Sequence, residues 1–338
     1  MKERRKTFRL FGLFLSTVLM LLLPFETASA ATAIDVNKKT SLSLSYANNG
    51  AILSGVSVHL YRAALVSAVD DYFLTEDFKD SAVNIANLDT DSKWSAAAKT
   101  LSAYAAANSV SPLTEMVTDA KGAADFTSLS TGLYLVVSDS VTIGDTTYTI
   151  DPFLVSLPSL NEKDEWVYDV SASPKSVSHQ TVVGGKVRYK VVKQWVDAGY
   201  ESERPDSVTV KILKNGELFT TQILNGDNNW SYSWQADDDG SVWQASEQDV
   251  PVSYTVTSEM VNREIVVTNT YAPTTPETPG DTTTTRKSSL SGVTTSAPKT
   301  GDSTRYSLIT ILAVSGMILL LFGIGQKRGR EARNHENE

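Results

Sequence analysis

The sequence predicts an all-β protein: two tandem antiparallel sandwiches, the first with a helical insertion, set between an N-terminal export signal and a C-terminal membrane-spanning helix. Three observations carry this reading. Between Ala31 and Tyr271 apolar residues recur mainly with a period of two, the spacing that places alternate side chains on one face of a sheet. The alternating runs are short and separated by turn signals such as Lys214-Asn215-Gly216 and Asn225-Gly226, as in antiparallel sandwiches. One alanine-rich stretch, Ser95 to Ala107, breaks the alternation with strong helix formers.

The strands expected in the first half are Ser41 to Ser45, Val56 to Leu60, Leu133 to Val137, Thr147 to Leu157 and Val167 to Val170. In the second half they are Val187 to Trp195, Val208 to Leu213, Trp230 to Trp234, Val252 to Val256 and Ile265 to Thr270. A break at Ser173 to Gly185 separates two domains, residues 31–175 and 176–271. Residues 272–296 are dominated by Thr, Pro and Ser. They hold too few large apolar side chains to offset the entropy of ordering, and are expected to form an extended tether suited to crossing a cell wall.

The two ends set the compartment. Lys2, Arg4, Arg5, Lys6 and Arg9 precede an apolar run from Leu10 to Pro24 that closes on Ala28-Ser29-Ala30, the form of a secretory signal peptide cut after Ala30; residues 1–30 are assigned to it. The run is short for a membrane anchor. Ser307 to Gly325 is uncharged and mostly apolar, long enough as a helix to cover the roughly 30 Å hydrocarbon core. Lys327, Arg328, Arg330 and Arg333 follow and favour the cytoplasmic side, so the chain from Ala31 to the span lies outside.

Composition excludes several classes of function. The 338 residues carry a formal charge of -9 and no basic stripe, so no nucleic-acid partner is expected. Without cysteine there are neither disulfide staples nor thiolate metal sites, and His59, His179 and His335 are too scattered for a His-based metal site or triad. No cofactor is expected. Nucleophile elbow, zinc-binding His pair and phosphate loop are all missing, which argues against an enzyme. The acidic run Asp237-Asp238-Asp239-Gly240 reads as a solvated turn, with a calcium site as the alternative.

Just before the apolar span stands Ala297-Pro298-Lys299-Thr300-Gly301. With the span and basic tail behind it, this segment resembles the LPXTG sorting signal of Gram-positive surface proteins; Pro298, Thr300 and Gly301 match, and Ala297 replaces the leucine. The resemblance makes 297–338 a sorting signal. It implies cleavage between Thr300 and Gly301 by a sortase, transfer of the threonyl carbonyl to an amine, covalent anchoring to peptidoglycan, and only transient membrane retention through 307–325. The exported part, residues 31–300, then holds 20 basic and 33 acidic residues.

Residues 187–271 resemble the B-type repeat of collagen adhesins and related pilin domains. The matching blocks are Val192-Lys193-Gln194-Trp195-Val196-Asp197, Arg204-Pro205-Asp206-Ser207-Val208-Thr209-Val210, Asn228-Asn229-Trp230-Ser231-Tyr232, Glu247-Gln248-Asp249-Val250-Pro251 and Val267-Thr268-Asn269-Thr270-Tyr271. The resemblance implies a spontaneous amide bond between Lys193 on the first strand and Asn269 on the last, assisted by Glu247, four residues after Trp243. Taken singly, these three read rather as a solvent-facing strand lysine, a turn asparagine and a surface charge; taken together in the matching blocks, they read as the bond.

Residues 36–175 resemble the N-terminal domain of pilin subunits through Gly55 to Arg62, Gly132 to Val137 and Pro152 to Pro158. Ser138 stands where that family has the acid of a Tyr-x-x-x-Glu pattern, and Leu42 to Tyr46 offers no lysine, so no internal amide bond is expected here; Lys38 and Lys39 are the alternatives. Trp166, Val170, Pro174 and Lys175 match the pilin motif WxxxVxVYPK, while Ala172 and Ser173 depart from it. The resemblance implies that Lys175 accepts the Thr300 carbonyl of a neighbouring subunit. The whole reads as a structural subunit of a sortase-assembled pilus. Its partners would be pilin-polymerising and housekeeping sortases, neighbouring pilins, peptidoglycan and a host ligand; the alternative is a monomeric wall-anchored adhesin.

Overall fold

The computed structural model describes residues 33–86, 88–180 and 185–273. The signal peptide with Ala28 and Ala30, nearly all of the 272–296 tether, the motif Ala297, Pro298, Lys299, Thr300 and Gly301, and the expected span at 307–325 lie outside them. Among the described residues no helix is long and apolar enough to cross a membrane.

In the first domain the elements in chain order are β1 (Thr40–Ser45), β2 (Ser57–Val66), β3 (Tyr72–Leu74), α1 (Asp91–Ala107), β4 (Thr114–Val117), β5 (Ala123–Leu129) and β6 (Gly132–Ser138). They continue with β7 (Val141–Ile143), β8 (Thr146–Ile150), β9 (Phe153–Leu157), β10 (Asp169–Ala172) and β11 (Ser176–Gln180). One sheet runs β10-β1-β5 and a second β9-β6-β2-β3, with β4 also on β2; β7, β8 and β11 form a third. Leu42, Leu44, Tyr46, Val58, Leu60, Phe126, Tyr134 and Val136 fill the core. The expected single strand from Thr147 to Leu157 is in fact two, β8 and β9, broken at Asp151-Pro152, where proline removes a ladder donor. The expected strand at Val167 to Val170 also divides, at Tyr168 and without a proline: Trp166–Val167 pairs with Ser159–Leu160, while β10 runs parallel to β1. β11 pairs antiparallel with β8, so the first domain's sheets extend past Lys175 to Gln180.

The helix starts at Asp91, four residues before the Ser95 expected, because Thr90 Oγ1 caps it by accepting from the Lys93 N–H at 3.3 Å. Its Trp94, Ala97, Ala98, Leu101 and Ala105 pack on Phe78, Leu133, Leu135 and Leu154, a second core of the first domain. The opposite side of α1 lies against the second domain.

That domain comprises β12 (Lys186–Val196), β13 (Ser207–Lys214), β14 (Glu217–Asn225), β15 (Ser231–Asp237), β16 (Trp243–Gln248), β17 (Tyr254–Val261) and β18 (Glu264–Tyr271). Two sheets, β15-β12-β18-β17 and β14-β13-β16, face each other. Between them lie Tyr189, Val191, Val208, Val210, Ile212, Trp234, Trp243, Ala245, Ile265 and Val267. Asn215 and Gly216, at φ 53 and 79, turn β13 into β14, as the Asn-Gly signal predicts. The second signal is different: Asn225 and Asn228 form a capping box around a 3₁₀ turn. β17 begins later and runs longer than the Val252–Val256 expected, because Asn262 and Arg263, at φ 50 and 67, turn it into β18 without a glycine to mark the site.

Candidate cross-linking site

Alternation along β12 sends Tyr189, Val191 and Lys193 into the sandwich, and along β18 Ile265, Val267 and Asn269. The two strands pair in parallel with Lys193 opposite Val267 and Trp195 opposite Asn269. Glu247 comes from the other sheet, on β16 opposite Val210, with Ala245 and Trp243 one and two pleats before it on the same inward face. Three polar side chains from three strands therefore meet in an apolar interior, each no more than 6% exposed.

Asn269 Nδ2 donates to Glu247 Oε1 at 2.9 Å, and Lys193 Nζ stands 3.6 Å from Glu247 Oε2. Lys193 Nζ also donates to the Gln194 carbonyl at 2.8 Å and lies 3.9 Å from the Trp195 ring centroid. Glu247 Oε2 and Asn269 Oδ1 are buried without a hydrogen-bond partner. Unsatisfied buried polar atoms are costly and normally rare, so two in one contact set this group apart from an ordinary buried ion pair. Burial pushes the Lys193 ammonium down to about 8, against the opposing pull of Glu247. Burial likewise pushes the Glu247 carboxyl up, outweighing Lys193 and the Asn269 hydrogen bond. Both shifts favour the neutral forms of the pair.

Around Lys193 stand residues to which the sequence reading gave no role. Asp197, on a side chain 1% exposed, accepts from Arg204 at 2.5 and 2.7 Å and from the Tyr254 hydroxyl at 3.0 Å. Trp195 meets Trp230 and Tyr254 edge-on, at centroid distances of 5.6 and 5.3 Å. The alternating pattern of β12 signals Trp195; an Asp–Arg pair formed across a turn has no comparable periodic signature.

The first domain holds no equivalent group among its described residues. At the position where the resembled pattern has its acid, Ser138 Oγ lies 2.9 Å from the Tyr46 hydroxyl, whose ionisation burial pushes up to about 12. Lys38 lies over the Tyr168 ring at 4.0 Å and Lys39 donates to Ser130 Oγ at 3.3 Å, both at the surface. Lys175 is exposed between β10 and β11, with its carbonyl accepting from the Asp151 N–H at 3.3 Å. The acidic run is spent on cations: Asp238 accepts from Arg263 at 2.8 Å and Asp239 from Lys214 at 3.0 Å. No cluster of metal-ligating side chains occurs among the described residues.

Fold and site together define a protein of tandem immunoglobulin-like sandwiches, the second built around a buried Lys–Glu–Asn group. Residues 38–177 match the family model described as Gram-positive pilin subunit D1, N-terminal domain, and residues 189–270 the Cna protein B-type domain. The chain thus carries a Gram-positive pilin D1 domain followed by a Cna B-type domain. Solved structures similar to it include a single B repeat unit of the Staphylococcus aureus collagen-binding surface protein, at 17% identity and a TM-score of 0.25, covering 70% of this chain and 100% of that one. Another is the full-length major pilin SpaD of Corynebacterium diphtheriae, at 16% identity and a TM-score of 0.29, covering 70% of this chain and 66% of that one. The SpaA pilin of the same organism, in complex with a signal peptide, matches at 26% identity and a TM-score of 0.27 over 43% of this chain and 99% of that one. No curated protein sequence matches the chain.

Proposed function

We propose that the chain is a structural subunit of a covalently polymerised surface pilus, toughened by an amide bond between Lys193 and Asn269 and anchored at last to the cell wall. The observation that carries this reading is the buried Lys193–Glu247–Asn269 group. A lysine at about 8 is neutral in roughly one molecule in ten at pH 7, against about one in three thousand for an ordinary lysine. The neutral amine attacks Asn269 Cγ. Protonated Glu247 polarises the amide carbonyl, which meets it once the amide turns over about Cβ–Cγ, an assignment that would also satisfy the orphaned Oδ1. The C–Nδ2 bond breaks, the proton lost by the amine passes through Glu247 to the departing nitrogen, and one ammonia leaves. Glu247 ends as it began, so the event is one self-catalysed maturation step and not turnover.

Between subunits, a pilin-polymerising sortase would cut after Thr300 and hand its carbonyl to Lys175 of a neighbour; a housekeeping sortase would make the final transfer to peptidoglycan. Lys175 suits the acceptor role because it is exposed and free of any ion pair among the described residues. Adhesion to a host surface is the service such a fibre would perform. Incubated with the polymerising sortase, the protein is expected to give a ladder resistant to heat and detergent, lost in Lys175→Ala. A single band would instead favour the monomeric wall-anchored adhesin.

A further inference from the structure

Of the three groups at the cross-linking site, Lys193 and Asn269 sit on β12 and β18, the two central strands of their sheet. Glu247 does not. Its strand, β16, is the edge of its sheet, paired only with β13, and across the open side of the sandwich lies another edge, β17, paired only with β18. Edge strands fray at lower free energy than central ones, so the acid is the least securely held of the reacting groups.

The first domain closes that side. On α1, Ala96, Thr100 and Ala103 recur at helical spacing on the face opposite the Leu101 stripe, and all are buried although the two alanines lie outside the first domain's own core. The edge of β17 points two N–H groups, two residues apart, at the first domain: Val256 donates to the Ala82 carbonyl at 3.0 Å, and Ser258 to Thr100 Oγ1 at 2.8 Å. Ser258 Oγ donates in turn to the Ala245 carbonyl on β16 at 2.6 Å, two residues before Glu247. Gln244, also on β16, donates to Ser102 Oγ of the helix at 3.0 Å. Lys211, whose strand partner is Ser246, donates to the Ala107 carbonyl at 2.8 Å, placing a cation on the last turn of α1 where orphaned carbonyls accept it. Ser246 itself, pointing outward from the sandwich, is 6% exposed.

We infer that α1 of the first domain is a positioning element for the second domain's cross-link: by clasping β16 and β17 it holds Glu247 between Lys193 and Asn269. The inference rests on the proposed amide bond. Because a shift of about 1 Å in a catalytic group can cost as much as a hundredfold in rate, the edge that carries Glu247 needs an external brace, and the helix supplies one. The alanine-rich composition of α1 follows: small side chains let one helix lie close to two domains at once.

The test uses the full-length chain made by cell-free synthesis, quenched at intervals in acidic urea and digested, with the branched peptide joining Lys193 to Asn269 quantified by mass. Ala103→Arg, which leaves the Leu101 stripe intact, is expected to slow its appearance roughly tenfold, while amide exchange at Val256 and Ser258 accelerates; Ala103→Ser should retain the wild-type rate. Should Ala103→Arg fail to fold, Lys211→Met combined with Gln244→Ala removes two clasp hydrogen bonds from the second domain alone and is read in the same way. Faster exchange with an unchanged rate of bond formation overturns the inference, as does unchanged exchange. Wild type that never yields the branched peptide refutes the amide-bond reading itself, an outcome separate from either.

Discussion

Asn269 lies one pleat beyond Val267, the strand partner of Lys193, on the same inward face of two adjacent parallel strands. A lysine side chain directed along the strand spans that offset, so a bond between the two would fasten the domain's first strand to its last. It would close a loop of about 75 residues, and by the chain-entropy account used for disulfides restrict the unfolded state by on the order of 4 kcal/mol. Lys193→Met, Glu247→Gln and Asn269→Ala should each abolish a mass deficit of about 17 Da, and each should lower the melting temperature of the second domain. An intact mass equal to the sequence value in wild type, or melting unchanged by Lys193→Met, would count against the bond.

Bond formation should depend on pH in a direction fixed by the two shifts. The reactive pair is neutral amine with protonated acid. Lys193 is held down to about 8 and gains reactivity as pH rises toward that value; Glu247 is raised, and its usefulness ends once pH exceeds its elevated value. The rate of branched-peptide formation should therefore be bell-shaped, with its acid limb governed by Lys193. A rate flat from pH 5 to 9 would show that neither protonation state matters.

Much of this site is legible in the sequence because its parts sit on strands with strong alternation. Lys193 lies in a run that begins Val187, Tyr189, Val191, and Asn269 follows Ile265 and Val267, so the inward face can be read off by counting. The strand that bears Glu247 is different. Trp243–Gln248 reads Trp-Gln-Ala-Ser-Glu-Gln, with polar residues on both faces, because its outer side is covered by another domain and its inner side carries the buried Glu247. β14 escapes notice for a related reason: Leu218, Phe219 and Ile223 are exposed on it, so hydrophobicity does not alternate with burial. The second face of α1 is illegible for a third, since Ala, Thr and Ser give no amphipathic contrast even when both sides are buried.

In the first domain, the Tyr46–Ser138 hydrogen bond occupies the place where the resembled pattern has its acid. Tyr46→Phe should cost about 1 kcal/mol, the usual worth of a neutral hydrogen bond, and should leave the mass deficit of the intact protein unchanged. A deficit of two ammonias in wild type would contradict this assignment and direct attention to Lys38 or Lys39.

The Asp197–Arg204–Tyr254 cluster predicts how the second domain responds to acid. Hydrogen bonds from Arg204, aided by Tyr254, hold the Asp197 carboxyl below its ordinary range despite burial. A carboxyl whose folded value is depressed contributes stability above its unfolded value of about 3.8, and loses that contribution as pH falls through the folded one. Arg204→Met strands a buried carboxylate, so at pH 7 the variant should melt well below wild type. As pH falls below about 3.8, Asp197 becomes protonated in the unfolded chain and then in both states, and the gap between the two proteins should narrow. Tyr254→Phe, which removes one of three hydrogen bonds, should show the same trend with about 1 kcal/mol at neutral pH. Melting curves of the three proteins from pH 2 to 7 check this; a gap that stays constant across the range would mean that Arg204 acts through packing on Trp195, 5.7 Å from its ring centroid, and not through the charge of Asp197.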